Sequence, residues 1–272
     1  MPTHTVTGAD DTELCVEETG TQNGQAILFV HGYSQSRLAW RRQVESELAD
    51  EFRLITFDLR GHGRSETPDT GYDDPETWGE DIQNIIDALD LEQPVLVGWS
   101  YGGIIVGDYL QTFGDDQLAG INFVGAATEV GTEAAMAVLG DEFLELVPGF
   151  ESEVVTESVD TLETFLRRSV HGELSADDLR YQLGYNVAVP PHVREALHSR
   201  QVTHTADIEA IDTPVLISHG EADRIVLPAA ADRHAESIEH AETSRYSDVG
   251  HTTFWERPDR FNRELREFVS SL

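Results

Sequence analysis

The stretch Val95-Leu96-Val97-Gly98-Trp99-Ser100-Tyr101-Gly102-Gly103-Ile104-Ile105-Val106 decides the fold. A short apolar run ends in Gly-Trp-Ser-Tyr-Gly, and a helical run follows through Tyr109 and Leu110. That reads as a strand, a one-residue corner and a helix, with a serine at the corner. A serine on so tight a turn has strained dihedrals, and glycines on either side keep strand and helix from colliding with it. The strain projects the hydroxyl clear of the sheet. It also sets the Tyr101 amide at a helix N-terminus, where a free donor and the helix dipole can hold a developing oxyanion. Taken alone, the pentapeptide equally describes a serine that caps a helix after a core strand. The rest of the chain decides between the two.

Outward from this corner, strands alternate with helices. Thr5–Thr7 and Glu13–Glu17 read as an antiparallel hairpin at a sheet edge. Ala26–Val30 is continuously apolar, as a strand buried on both faces should be. Leu38–Leu48 has helical spacing, Arg53–Phe57 reads as a strand, Pro75–Leu91 as a helix, and Ile121–Gly125 as the next strand. From Gly131 to Val202 no convincing strand appears, only helical segments and a Pro190-Pro191 stop. Alternation resumes with the strand Thr213–Ser218, a helix from Pro228, the strand Thr243–Tyr246 and a closing helix from Trp255 to Val269. Parallel βαβ units covered on both faces are therefore expected, interrupted by a helical insertion. Residues 1–130 and 203–272 form the expected core, and 131–202 the expected cap.

A serine hydroxyl is a poor nucleophile at neutral pH and needs a base that an acid orients. After Ser100 in the chain come Asp223, in the loop after Thr213–Ser218, and His251, in Asp248-Val249-Gly250-His251 after the last strand. All three fall at carboxyl ends of predicted strands, where ligand and catalytic groups of open α/β sheets gather. His251 is one of 11 histidines; its place behind a glycine and after the final strand singles it out as the base. Asp223 competes as the acid with its neighbour Glu221 and with Glu129, which follows Ile121–Gly125. His31-Gly32-Tyr33 follows the strand Ala26–Val30, and the Tyr33 amide pairs naturally with that of Tyr101 as an oxyanion hole. His31 reads as a brace for that loop, and Gly61-His62-Gly63-Arg64-Ser65 as a tight structural turn. Trp99, Trp40, His31 and Tyr33 are candidates to line an acyl pocket, though each also reads as ordinary packing.

Composition narrows the setting. The 272 residues carry 51 Asp plus Glu against 18 basic residues, all of them Arg, for a net charge of −33. No basic face is available for phosphates, which excludes nucleic acid as a partner. Such a surface repels itself in dilute buffer but not in concentrated salt, where the Debye length falls to about 3 Å at 1 M. With no lysine at all, the chain reads as a halophilic protein of a salt-accumulating cytoplasm. Cys15 is alone, so no intrachain disulfide or thiolate metal cluster is expected. Neither a secretory leader nor a membrane span is apparent. Neither a metal nor an organic cofactor is called for, and nothing in the residues specifies an oligomeric state.

Together His31-Gly32-Tyr33, Gly61–Ser65, Gly98–Gly103, the Gly220–Asp223 loop and Gly250-His251 resemble the α/β-hydrolase superfamily over essentially the whole chain. The resemblance implies a mostly parallel eight-stranded sheet flanked by helices, with a helical cap between strands six and seven. It implies a Ser100–Asp223–His251 triad and no cofactor. Within the superfamily the chain is similar to the esterase, lactonase and cofactor-free haloperoxidase (perhydrolase) branch. Haloalkane dehalogenases and epoxide hydrolases carry aspartate where Ser100 stands, and Trp99 departs from the Phe or His often found there. The expected activity is cleavage of a small-molecule ester, thioester or lactone through an acyl-enzyme. The alternative is a small-molecule receptor on the same fold, which turnover under multiple-cycle conditions would separate from an enzyme.

Overall fold

The computed structural model describes residues 2–272. Eight strands make one sheet: β1 (Thr3–Thr7), β2 (Glu13–Gly20), β3 (Ala26–Val30), β4 (Arg53–Phe57), β5 (Val95–Trp99), β6 (Gly120–Val124), β7 (Val215–Gly220) and β8 (Glu242–Tyr246). Their spatial order is β1-β2-β4-β3-β5-β6-β7-β8. β2 runs antiparallel to β1 and β4, and every other pairing is parallel. The continuously apolar runs β3, β5 and β6 are buried from end to end at the centre of the sheet, as parallel strands covered on both faces must be. This is the α/β-hydrolase fold.

Side-chain alternation along β5 assigns the two faces. Leu96 packs with α1 (Pro75–Ala88) and α2 (Gly102–Phe113), whereas Val95, Val97 and Trp99 pack on the opposite face. The expected helix Leu38–Leu48, on that opposite face, is three short turns: Arg37–Trp40, Arg41–Val44 and Glu47–Asp50. Ser36 and Ser46 Oγ accept from the Leu38 and Leu48 amides, so each serine starts a new turn instead of continuing the old one.

Between β6 and β7 lie three four-residue helices (Glu133–Met136, Asp141–Leu144, Val147–Phe150) and then α3 (Val155–Arg168), α4 (Ala176–Asn186) and α5 (Pro191–Ser199). The base of this insertion is closed by an antiparallel ribbon, Glu129–Val130 against Val202–Thr203, which the sequence did not announce. Phe143, Phe150, Leu162, Phe165 and Leu197 of the insertion join the same apolar cluster as the α1–α2 face of the sheet. After β7, α6 (Ala229–Ser237) covers that face, and α7 (Pro258–Ser270) covers the other. The expected helix from Trp255 divides into Thr253–Glu256 and α7. Pro258 disfavours helical dihedrals at Arg257, which sits at φ −133°, ψ 57°.

Register sets where the loops open. Trp99 lies beside Val124, Val124 beside Ser218, and Gly220 beside Tyr246. The carboxyl ends of β5, β6, β7 and β8 therefore share one edge, and the residues that follow them converge there. Among the described residues no helix is long and apolar enough to cross a membrane.

Candidate active site

Ser100 occupies the corner after β5 with φ +56°, the left-handed region that non-glycine residues rarely adopt. Its amide donates to Val124 O (3.0 Å), and its carbonyl accepts from Gly103 (2.9 Å) and Ala127 (3.1 Å). These bonds hold the strained turn in place. Two glycines make room for it. A Cβ on Gly32 would lie 2.9 Å from Ser100 Cβ, and one on Gly102 would lie 2.4 Å from Val30 O. Either substitution would push the β3 loop away from the serine.

Asp223 and His251 meet beside Gly125, the residue that follows β6. His251 Nδ1 lies 2.7 Å from Asp223 Oδ2, both side chains fully buried. Asp223 Oδ1 accepts from the Ile225 (2.9 Å) and Val226 (3.1 Å) amides, which fixes the plane of the carboxylate. Burial alone would raise the Asp223 pKa, but the charge of His251 and hydrogen bonds from His219 and His251 bring it down to about 2. An ionised carboxylate there requires the proton of a neutral His251 to sit on Nδ1, leaving Nε2 as the accepting nitrogen. Nε2 is buried and has no protein partner among the described residues. The loop is held from four sides: Trp99 Nε1 donates to His251 O (3.1 Å), the His251 amide to Ser169 O (2.8 Å), and the Gly250 and His171 amides to the Glu256 carboxylate (2.7 and 2.9 Å).

Across from them is the loop after β3. Among the described residues neither the Tyr33 nor the Tyr101 amide donates to a protein acceptor, although both residues are buried. Buried backbone donors are almost always paired, so two free ones lining the same cavity as Ser100 are an exception. His31 braces this loop: its Nδ1 bonds Gly32 O (2.9 Å) and its Nε2 the Leu59 amide (3.0 Å). Burial lowers its pKa to about 4, so it is neutral in this role. Asp58 does the rest, accepting from the Arg37 amide (2.8 Å) and guanidinium (2.6 Å) and from the Arg64 amide (2.9 Å). The Gly61–Ser65 turn is thereby tied to the loop that carries Tyr33.

A narrow cavity opens beside Ser100. Tyr33, Tyr101, Ile104 and Ile225 line it from the core, and Leu139, Phe143, Phe165 and His198 from the insertion. Trp40 and Trp99, expected as pocket residues, are not in its wall. On the opposite side of the sheet Trp99 packs edge to face against both Trp40 and Phe254. The pleat dictates this, since Trp99 ends β5 on the face away from α2. His31 is likewise buried behind the loop. Glu129 does border the cavity, but its carboxylate is taken up by the Thr132 (2.9 Å), Thr203 (3.2 Å) and Thr205 (2.7 Å) hydroxyls. It therefore braces the ribbon, and Glu221 instead accepts from the Ser247 hydroxyl. Of the three carboxylates considered, Asp223 alone touches His251. Two contributors were not foreseen: His219, whose Nε2 lies 3.3 Å from Asp223 Oδ2, and Glu256 under the His251 loop.

Comparison with known proteins agrees with the fold. The family model described as the alpha/beta hydrolase fold matches residues 25–258. A non-heme chloroperoxidase of Streptomyces lividans is 29% identical over 98% of this chain and 99% of its own. A bifunctional esterase/perhydrolase of Acinetobacter calcoaceticus is 24% identical over 98% and 99%. Among solved structures, an esterase from Rhodococcus sp. ECU1013 superposes with a TM-score of 0.95 at 34% identity, covering 100% of both chains.

Proposed function

The chain belongs to the α/β-hydrolase fold family and is an enzyme of that class; from that premise we propose that it cleaves a carboxylic ester, thioester or lactone of a small molecule through an acyl-enzyme on Ser100. Ser100 Oγ attacks the carbonyl carbon and its proton passes to His251 Nε2. Asp223 holds the imidazole tautomer and stabilises the imidazolium. The Tyr33 and Tyr101 amides hold the oxyanion. His251 returns the proton to the departing alcohol, thiol or tethered hydroxyl. It then takes a proton from water, which attacks the acyl-enzyme and releases the acid and Ser100. No cofactor enters the scheme. The observation that carries the reading is the 2.7 Å Asp223–His251 contact with Nε2 left unpartnered, the His251 ring lying 5.6 Å from that of Trp99, the residue before the strained Ser100. A fluorophosphonate probe should label Ser100, and Ser100→Ala should lose both labelling and turnover by on the order of a million-fold. Retained turnover would end the reading.

Residues 131–202 act in this scheme as a cap over the serine. The cavity holds about 50 Å³ of open space, against the roughly 10–15 Å³ that one water needs. Acyl groups of a few carbons fit, so short esters should outrun long ones and emulsified triglyceride should be a poor substrate. Hydrogen peroxide in place of water at the acyl-enzyme would give a peracid, the weak side reaction that the perhydrolase relative suggests. We read the net charge of −33 without lysine as adaptation to concentrated salt in a cytoplasm of that kind. The melting temperature should rise from dilute buffer into molar KCl; a flat or falling profile would refute that adaptation and leave the chemistry untouched.

A further inference from the structure

Both proposed oxyanion residues are tyrosines, and both reach away from the serine to the same helix of the cap. Tyr33 Oη donates to Arg194 O (3.1 Å), and Tyr101 Oη donates to Leu197 O (2.9 Å), both bonds buried. Arg194 and Leu197 are three residues apart on α5, so their carbonyls lie one above the other on one helix face. Leu197 is in the last turn, where no helical amide can reach its carbonyl, and Tyr101 is its partner.

The helix is fixed at both ends as well. Arg194 donates to Phe150 O (2.8 Å) and Val189 O (2.6 Å). Arg200, just past the helix, donates from Nη1 to Tyr101 Oη (3.3 Å) and from Nη2 to both carboxylate oxygens of Asp108 on the elbow helix α2 (2.8 Å each). A closed circuit results: elbow helix, Arg200, Tyr101 hydroxyl, α5. Burial raises the Tyr101 pKa to about 12 despite Arg200, and raises that of Tyr33 well above its usual value. Both hydroxyls are therefore donors at any working pH.

We infer that the Tyr33 and Tyr101 hydroxyls are positioning groups that hang the two oxyanion-hole peptides from α5, so that the hole is in register only when this cap helix is seated. The inference rests on the proposed role of the two amides. Removing an oxyanion donor outright costs about 100- to 1000-fold in kcat, and a small misplacement of reacting groups can cost about 100-fold. Loss of a tether, with the amide still present, should then cost about tenfold.

The test is Tyr33→Phe and Tyr101→Phe with p-nitrophenyl acetate, read against the parent enzyme and Ser100→Ala. In each variant kcat should fall about tenfold with KM within about twofold. Affinity for phenylboronic acid, whose tetrahedral adduct puts an oxygen in the hole, should fall by the same factor. 4-Aminophenylalanine at position 33 keeps a donor toward Arg194 O and should recover most of the loss, which also covers the case of a Phe variant that folds poorly. Parental kcat in both variants, a kcat loss without the boronate loss, or no recovery with the donor restored would overturn the inference. Each of those results leaves the Ser100 reading standing, whereas turnover by Ser100→Ala would remove both.

Discussion

The two sides of the candidate site are built on different principles. On the core side, each proposed group is set by named hydrogen bonds. Asp223 Oδ1 takes two amides, His251 Nδ1 takes Asp223, and Ser100 is pinned at its amide and carbonyl. On the insertion side, Leu139, Phe143 and Phe165 offer only volume, and arginine side chains tie the segments around them together at backbone carbonyls. Arg168 donates to Glu142 O and Arg224 to Val170 O. In the proposed reaction, chemistry on the core side depends on atom type and on ångström placement, so the reacting groups should tolerate no change of residue. The insertion side depends on shape, so in that reaction it should tolerate exchange and set which acyl group fits.

Substitutions should expose this asymmetry. Asp223→Asn, nearly isosteric, should lower kcat by about 10⁴-fold because the imidazole is then held in the wrong tautomer. Glu129→Gln, at the seam of the two walls, should change it by less than about tenfold, since its threonine partners position a ribbon and not a base. Steady-state kinetics on both variants would reverse the assignment if the order were opposite. On the cap wall, Phe143→Ala should enlarge the cavity and move the best acyl length upward. Each added methylene should change relative kcat/KM by about 10- to 200-fold at most. An unchanged chain-length profile would show that Phe143 does not bound the acyl site.

Acid should act on the core side first. His31, His62 and His234 are buried, and burial lowers their pKa values to about 4, 3 and 3. A base whose folded pKa is depressed binds fewer protons folded than unfolded. Stability is therefore full above the unfolded value near 6.5 and falls as pH drops from there toward 3–4. Each such histidine contributes a slope of up to about 1.4 kcal/mol per pH unit in that window. Asp223 adds a smaller loss between its unfolded value and about 2. Thermal melts from pH 8 to pH 5 should show a falling Tm below about 6.5; a level profile would mean that these rings accept protons in the folded state.

The same asymmetry explains what the sequence discloses. β3, β5 and β6 were legible because a parallel strand buried on both faces must be continuously apolar. The Asp223–His251 contact and the strained corner at Ser100 were legible because residues that follow parallel strands gather at one sheet edge. The wall assignment of Trp99 failed because a tryptophan beside the elbow says nothing about pleat direction, which only the register of β5 settles. The Glu129–Val130 ribbon is too short for any period to show. The Leu38–Leu48 segment has helical spacing, yet Ser46 recruits the Leu48 amide and restarts the turn. The tethers from Tyr33 and Tyr101 join residues 161 and 96 positions apart, a separation that no local pattern encodes.

The central claim is that an acyl group resides on Ser100 during turnover. The direct measurement is mass spectrometry of Asp223→Asn, slowed in turnover, after mixing with p-nitrophenyl acetate and acid quench. An acetyl group should appear on the peptide that carries Ser100, formed and lost at the rate of steady-state turnover. Turnover with no acetyl on Ser100, or with acetyl on another residue, would contradict it.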